Sequence, residues 1–420
     1  MYILYNFLLS ICLPIFIVVS LFSTKYRGRI VERLGFKSKH VAHQLNSGKQ
    51  GQIIWIHALS VGEITSSLPL VKGIREQLSP VQIVFTVSTR NGRELAEKLI
   101  SPYVDLLLFS PFDFRFAVRR YLAAIKPNCF ILVETDFWPN WLTLLYQEKI
   151  PSLLVNGRIS TKSFATYTRF AFFFKSMFLC FDLLSMQTEQ DQDKMLALGI
   201  PAERLVVLGN LKYDTPITQS LFNPISVEEK RLVWVCGSTH PGEEEMIFTA
   251  FKKLQHAGNL YLILAPRQIS RGSELLQLAH TFGLTADLRS NGERNAESQV
   301  LILDTIGELA SCYKLARVAF IGGSLVEEGG HNPIEAAAQG VPVLFGPHMD
   351  DFTEIARDLI HYGGAKTVTT IESLCENVVA LFVDDVLHRR MSTAAIQLVE
   401  QQRGSVDRHI LAIKKLLQGR

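Results

Sequence analysis

GQIIWIHALSVGEITSSLPLVKGIREQL, residues 51 to 78, changes its periodicity halfway. Up to Leu59 the residues are almost continuously apolar, and beyond Ser60 the apolar positions recur at helical spacing. A strand of that kind running straight into a helix is how a parallel sheet covered on both faces begins. Ser60 and Glu63 stand at the join, in a Ser-x-x-Glu pattern that fits a capping box. A second reading is available for Glu63. A carboxylate in the first turn of a helix faces exposed N–H groups that favour its charged form, so it is expected to be ionised near neutral pH and able to accept a proton. This stretch alone leaves cap and base both open.

The pattern repeats outward. QIIWIHAL, VQIVFTVS, VDLLLFS, CFILVET, SLLVNG, LLSMQT and LVVLGN read as strands between residues 52 and 210, with helix-like stretches such as FAVRRYLAAI between them. After a break at TPITQSLFNPISVEEK, residues 215 to 230, the alternation restarts with RLVWVCGS, NLYLILAP, VLILDT, RVAFIGG and VPVLFG. The tail from about ENVVALF is largely helical. Two doubly wound α/β halves joined near residues 214 to 229 follow from this. The expected boundaries are an N-terminal segment 1–24, a first Rossmann-like domain 25–215 and a second, 216–420, carrying the C-terminal helices. In such sheets ligands bind beyond the carboxyl ends of the strands, so those ends are expected to face each other across a cleft.

A chain of 420 residues suits two domains of ordinary size, and 48% hydrophobic with 20% charged residues describes a globular chain, not a disordered one. The net charge of +3 gives no argument for nucleic acid. Its distribution says more. Residues 2 to 22 contain no Lys, Arg, Asp or Glu, and KYRGRIVERLGFKSK follows with six basic residues against one acidic. A helix of that length just spans a hydrocarbon core, although Pro14 would kink it. The charge comes after the apolar run, and no small-residue cleavage site is visible, which is the reverse of a cleaved signal peptide. The expectation is a single N-terminal membrane anchor, with the body of the chain on the cytoplasmic side; an apolar helix lying on the membrane surface or packed on the domain is the alternative. The six cysteines show no metal-ligand spacing and suit reduced core thiols. SFATYTRFAFFFKSMFLCF, residues 163 to 181, reads either as a buried helix or as an apolar surface that meets lipid, helped by Lys162, Arg169 and Lys175.

The distinctive polar residues fall at strand-to-helix junctions. VETDFWPN puts Glu134 and Asp136 at a strand end, with Pro139 at the start of the next helix. GNLKYD brings Lys212 close to the expected hinge. CGSTHPGEEE offers Ser238 and Thr239 as N-caps whose helix could equally hold an anion. APRQ places Arg267 at another strand end, suited to phosphate or carboxylate, and Gly307 in DTIGELA allows close backbone approach. In FIGGSLVEEGGHNPIEAAAQGVPVLFGPH, residues 320 to 348, four glycines make a side-chain-poor loop, and His331, Asn332 and Glu335 straddle a helix start. Each feature has a structural explanation; together, at one edge of a sheet, they describe a nucleotide site.

With HALSVGE, ETDFWPN, VNGRIS, GNLKYD, GSTHPGEE, APR, DTIGEL and GGHNPIEAAAQGVPVLFGP in this order, the chain resembles the 3-deoxy-D-manno-octulosonic acid (Kdo) transferases, membrane-anchored GT-B enzymes of lipopolysaccharide assembly. The resemblance implies transfer of Kdo from CMP-Kdo to a lipid A precursor, with inversion at the anomeric carbon, at the bacterial inner membrane. Family members differ in how many Kdo residues they add. It implies that Glu63 is the catalytic base and that Glu134 supports it. It also implies that CMP is met by Pro266 and Arg267, by Ile306, Gly307 and Glu308, and by Asn332, Pro333, Ile334 and Glu335. Gln268 stands where many relatives have His. CMP-Kdo is a substrate, and no further cofactor is implied: Arg267 and helix N-termini could stabilise the departing nucleotide, so the transfer need not use a metal. Two rivals share parts of this reading. One is another GT-B enzyme, such as a lipid-linked N-acetylglucosaminyltransferase or a nucleotide-sugar epimerase, and the other is a two-lobed binding protein outside the membrane.

Overall fold

The computed structural model describes residues 5–11, 29–46, 51–214, 225, 227–228, 231–255, 258–292, 295 and 297–418. They form two compact units, one of residues 1–215 with 403–420, the other of residues 216–402.

The first unit is built on strands β1 Gln52–Ala58, β2 Val81–Val87, β3 Leu106–Phe109, β4 Cys129–Val133, β5 Ser152–Gly157, β6 Leu183–Met186 and β7 Leu205–Val207. They lie in the order β3-β2-β1-β4-β5-β6-β7, every neighbouring pair parallel. Every residue of β2, β4 and β5 is buried, as in a sheet covered on both faces. Alternate residues of β1 serve the two faces. Trp55 packs with Val84, Phe130 and Trp141, whereas Ile54 and Ile56 pack with Leu70, Ile74 and Ile131. The strand order reverses direction between β1 and β4, and this is the switch point at which such sheets bind ligands.

The second unit repeats the design with β8 Leu232–Thr239, β9 Leu260–Pro266, β10 Ala286–Leu288, β11 Val300–Ile302, β12 Val318–Ile321, β13 Val343–Phe345 and β14 Ala365–Thr367. The order is β10-β11-β9-β8-β12-β13-β14, again parallel, with the switch point between β8 and β12. The edge strands β10 and β14 were not expected. Three residues each, ADL and AKT, they are too short and too little buried to carry a pattern.

One expected boundary is corrected. The helix Ser405–Gln418 belongs to the first unit, not to the second. Its Ile410 and Ile413 are fully buried in the core that holds Ile54 and Leu70. Gly73, inside the helix Val61–Gln77, makes room for it: a Cβ there would meet Ile410 Cδ1 at 2.6 Å. Asp214 accepts from the N–H groups of Gly404 (2.8 Å) and Val406 (2.6 Å), which ties the start of the helix to the end of the first unit. His409 is buried with Nε2 2.8 Å from Ser185 Oγ, and burial pushes its pKa down to about 4, so it is neutral in the folded chain.

The expected anchor, residues 2–22, falls mostly outside the described residues; of it, residues 5–11 form a short helix. Tyr5 of that helix donates to Asp113 Oδ2 at 2.8 Å. Among the described residues no helix is long and apolar enough to cross a membrane. The Phe-rich run divides between its two readings. It forms helices Thr161–Arg169 and Ala171–Phe178; Met177, Phe178 and Phe181 are buried in the core, while Phe170 and Phe172 are exposed.

Replacing Ile410 by Ala should lower the unfolding free energy by about 3 kcal/mol, as expected for a fully buried aliphatic side chain, although the residue follows the second unit in the chain. Removing residues 403–420 should lower the melting temperature of the isolated first unit. Denaturant and thermal unfolding check both, and an unchanged first unit would show that the helix is not part of its core.

Candidate functional site

At the switch point of the first sheet, β1 runs into Leu59 and Ser60 and then into the helix Val61–Gln77. Ser60 is the N-cap by its backbone, but its side chain makes no capping bond, so the expected capping box is only half present. Glu63 reaches back past the N-cap to accept from the N–H of Leu59, and the N–H of Ser60 adds a weaker bond. Its carboxyl is buried, and its pKa is raised to about 8, first by loss of water, then by the charge of Glu134; the Leu59 N–H opposes this and Asp136 adds to it. The expectation that the helix start keeps Glu63 ionised at neutral pH is therefore corrected. Burial and a neighbouring carboxylate outweigh the N–H groups.

β4 delivers Glu134 with a left-handed backbone, φ 61°, a conformation uncommon outside glycine that turns the side chain into the site. Its carboxylate accepts from Ser66 Oγ at 3.2 Å and Asn156 Nδ2 at 3.0 Å, and Arg158 Nε stands 3.9 Å away. Ser66 follows Glu63 by one helical turn, so the two acidic residues share a wall. Asn156, also left-handed at φ 57°, accepts from the N–H of Leu211 through Oδ1 and from Gln187 through its carbonyl, and Gln187 in turn accepts from Asn210. One network thus joins the ends of β4, β5 and β6 to the turn after β7. Lys212 lies in that turn, partly buried, its N–H donating to Asn210 Oδ1 at 3.0 Å.

His57 and Asp136 complete this corner. His57 is fully buried, with Nε2 2.8 Å from Asp136 Oδ2 and Nδ1 3.0 Å from both the hydroxyl and the carbonyl of Thr86. Trp55 Nε1 donates to the same hydroxyl at 2.9 Å. Against the upward push of burial, the hydrogen bond and charge of His57 hold Asp136 below the usual carboxylate range. From the sequence Asp136 is either a helix-initiating residue or a cleft group; the structure makes it the partner of His57, which the sequence reading does not single out. A histidine inside an apolar strand carries no local signal; only β4 lying beside β1 brings its partner within reach. Asp113 was also missed. It accepts from the N–H groups of Asn140 and Trp141 and so caps the helix Pro139–Gln147, which has Pro139 at its first position as expected.

In the second unit the strand ends are arranged differently from the expectation. Ser238 and Thr239 are the last residues of β8, not helix caps; the helix Glu243–Leu254 begins after Gly242. Glu243, fully buried, accepts four backbone N–H bonds, from His240 (2.9 Å), Gly323 (2.7 Å), Ser324 (3.0 Å) and Leu325 (2.9 Å). The glycine loop therefore closes on a carboxylate of the protein itself. Ser238, at φ 57°, is pressed against that loop, where Gly322 is required: a Cβ there would lie 2.4 Å from Ser238 O.

The remaining expected residues divide into exposed and engaged groups. Pro266 ends β9, and Arg267 beyond it is exposed, its N–H donating to Thr239 O at 2.9 Å. Ile306 is 75% exposed and Gly307 takes φ 89°, so this turn offers backbone. Glu308 is engaged instead. It is buried against Arg289, with Nη2 at 2.8 Å, and accepts from the Thr305 hydroxyl. Asn332 Oδ1 accepts from the N–H of Ile334, which fixes the start of the short helix Ile334–Ala337 behind Pro333. Glu335 is half-buried, and its partial burial raises its pKa. Among the described residues no group of three or more His, Cys, Asp or Glu could hold a metal ion.

The fold is GT-B-like. MurG from Acinetobacter baumannii superposes with a TM-score of 0.58 at 15% identity, over 87% of this chain and 100% of that one. That likeness is one of fold. A family model described as 3-Deoxy-D-manno-octulosonic-acid transferase (kdotransferase) matches residues 28–215. The 3-deoxy-D-manno-octulosonic acid transferase of Haemophilus influenzae is 32% identical over 99% of this chain and 98% of its own length. That of Bordetella pertussis is 30% identical over 87% of each. The chain belongs to the 3-deoxy-D-manno-octulosonic acid transferase family and is a glycosyltransferase.

Glu243→Gln should cost about 3 kcal/mol of stability, because an amide can accept at only one of its two ends and its NH₂ would face backbone donors. Chemical denaturation measures this; a loss well under 1 kcal/mol would mean that the loop holds its shape without the carboxylate.

Proposed function

We propose that the chain transfers Kdo from CMP-Kdo to a lipid A precursor, lipid IVA, with inversion at the anomeric carbon and Glu63 as the base. The observation that carries this is the position of Glu63. It is a buried carboxyl at the sheet's switch point, beside Glu134, and its raised pKa suits proton transfer near neutral pH. The first unit takes the acceptor. Ionised Glu63 removes the proton from the acceptor hydroxyl as its oxygen attacks the anomeric carbon. The bond from that carbon to the phosphate oxygen breaks, and CMP leaves from the opposite face with the electron pair. Glu134 is a positioning residue. It is held by Ser66 and Asn156, and its charge keeps the pKa of Glu63 high enough to bind the proton taken.

The second unit takes the donor. Arg267, exposed at the end of β9, would meet the developing charge of the leaving nucleotide. Pro266, the backbone of Ile306 and Gly307, and the Asn332–Glu335 turn would frame the nucleotide. Glu308 would act through Arg289, as the brace of its turn. Lys212 adds a cation at the end of the first unit.

The acceptor is an anionic glycolipid of the inner membrane, and the protein works at that membrane's cytoplasmic face. Exposed Phe7, Leu8 and Ile11 of the N-terminal segment and exposed Phe170 and Phe172 support this, together with the basic run that begins at Lys25.

With CMP-Kdo and lipid IVA, wild type should form product, and counting the sugars on it distinguishes single from successive transfer. Glu63→Gln should lose turnover by about 10³-fold or more while still folding. The raised pKa also sets a sign. A base must be deprotonated, so kcat/KM should rise about tenfold per pH unit below pH 8 and level off above it. Glu134→Gln removes a negative charge from beside Glu63 and should move that limb to lower pH. An unshifted limb would mean that Glu134 does not act on the base. Wild type that forms no product from CMP-Kdo would refute the donor assignment. Flotation with anionic vesicles should recover the full chain and recover less of a Phe170→Ser/Phe172→Ser variant.

A further inference from the structure

Successive amides in the glycine-rich loop of the second unit have the form of a phosphate cradle, and in the structure they are taken. The N–H groups of Gly323, Ser324 and Leu325, three successive amides of the kind that cradle phosphate, all point at the carboxylate of Glu243. A second anion brought to the same donors would meet a buried negative charge. The phosphate therefore needs another partner at this switch point.

His240 and His331 face each other there, one just beyond the end of β8 and the other in the loop after β12. Their Nε2 atoms are 2.8 Å apart and the rings are stacked, with centroids 5.1 Å apart and planes inclined by 15°. Two imidazole nitrogens at that distance share one proton: one ring donates through Nε2–H, and the other offers a lone pair. Both residues are half-buried, so one side of the pair stays open. The pair is held in place from three strands. Ser238 is pressed on Gly322, the Arg267 N–H is bonded to Thr239 O, and the His240 N–H is fixed by Glu243. The Arg267 side chain, exposed at the same strand ends, acts on His331 through its charge.

We propose that His240 and His331, with Arg267, form the subsite for the phosphate of the nucleotide donor, in place of the glycine loop. The inference rests on the reading of the second unit as the donor unit. A phosphate has two or more oxygens to satisfy, and one shared proton supplies only one donor. On binding, the pair takes up a second proton from solvent, the Nε2–Nε2 hydrogen bond opens, and each ring turns to donate through Nε2 to its own oxygen, with the guanidinium of Arg267 on the remaining charge. Burial, then the charges of Arg267 and His240, push the pKa of His331 down to about 4, so its ring is neutral on its own and holds a proton only beside a compensating negative charge such as that of a phosphate.

The test separates phosphate from nucleoside. Titration calorimetry with CMP and with cytidine gives the ratio of their dissociation constants, which isolates what the phosphate adds. In wild type CMP should bind at least about tenfold tighter than cytidine. In His240→Gln/His331→Gln that ratio should fall to within about threefold, with the cytidine constant unchanged, which also shows that the variant is folded. A ratio that survives in the double variant and collapses only in Arg267→Ala would overturn the proposal. Wild type that binds neither ligand would instead refute the donor-unit reading. Should the double variant fail to fold, imidazole ¹⁵N resonances of wild type decide: CMP should move Nε2 of both histidines and cytidine neither. Unmoved resonances would overturn the proposal.

Discussion

A buried carboxylate beside another cannot stay ionised without compensation, and the first unit is arranged around that constraint. Glu63, Glu134 and Asp136 converge because β1 and β4 are neighbours and all three follow strand ends at the switch point. Each is answered differently. Asp136 is held ionised by His57, whose other nitrogen is fixed by Thr86 and, through it, by Trp55. Glu134 receives hydroxyl and amide donors from Ser66 and Asn156, with Arg158 farther off. Glu63 is left with backbone donors from its own helix start, too little to offset burial and the charges beside it. The least compensated of the three is the one whose pKa is raised toward neutrality.

The second unit meets the same problem with the opposite outcome. Glu243 is as deeply buried as any carboxylate here, yet it has four backbone donors and a role in shaping the glycine loop. Four amides satisfy a carboxylate almost completely, so this group is fixed and chemically quiet. Glu308 is quiet for a related reason, being closed on Arg289. Arg267 and the two histidines, by contrast, stay available at these strand ends.

Left-handed backbone marks both sites. Glu134, Asn156 and Ser238 take positive φ at strand ends without being glycine, and each is held by neighbours that leave it no alternative. Glu134 and Asn156 are bonded to each other, and Ser238 is wedged against Gly322. Strain of this kind persists only where the surrounding structure over-determines it. At Glu134 it directs a side chain toward the neighbouring acid. At Ser238 it turns the chain so that His240 reaches His331.

Much of this was legible in the residues themselves. Continuous apolar runs such as CFILV and LYLILAP can be satisfied only in a sheet buried on both faces, so the two parallel sheets and the break between them follow from pattern alone. The junction residues are legible too, because a parallel sheet puts its functional groups where strands turn into helices. Glu63, Glu134, Arg267 and Glu335 all stand there. Sequence could not decide which of these groups would find partners across the sheet. His57 lies in an apolar strand 79 residues from Asp136, and Glu243 lies 80 residues from Gly323, so no local signal joins them. Nor could it show that the last helix returns to the first unit, since Ile410 and Ile413 look the same whichever core they fill. Local pattern fixes the direction and burial of each strand. The ionisation of Glu63, the occupancy of the glycine loop and the home of the final helix depend on contacts between distant residues, which exist only once the sheets have formed.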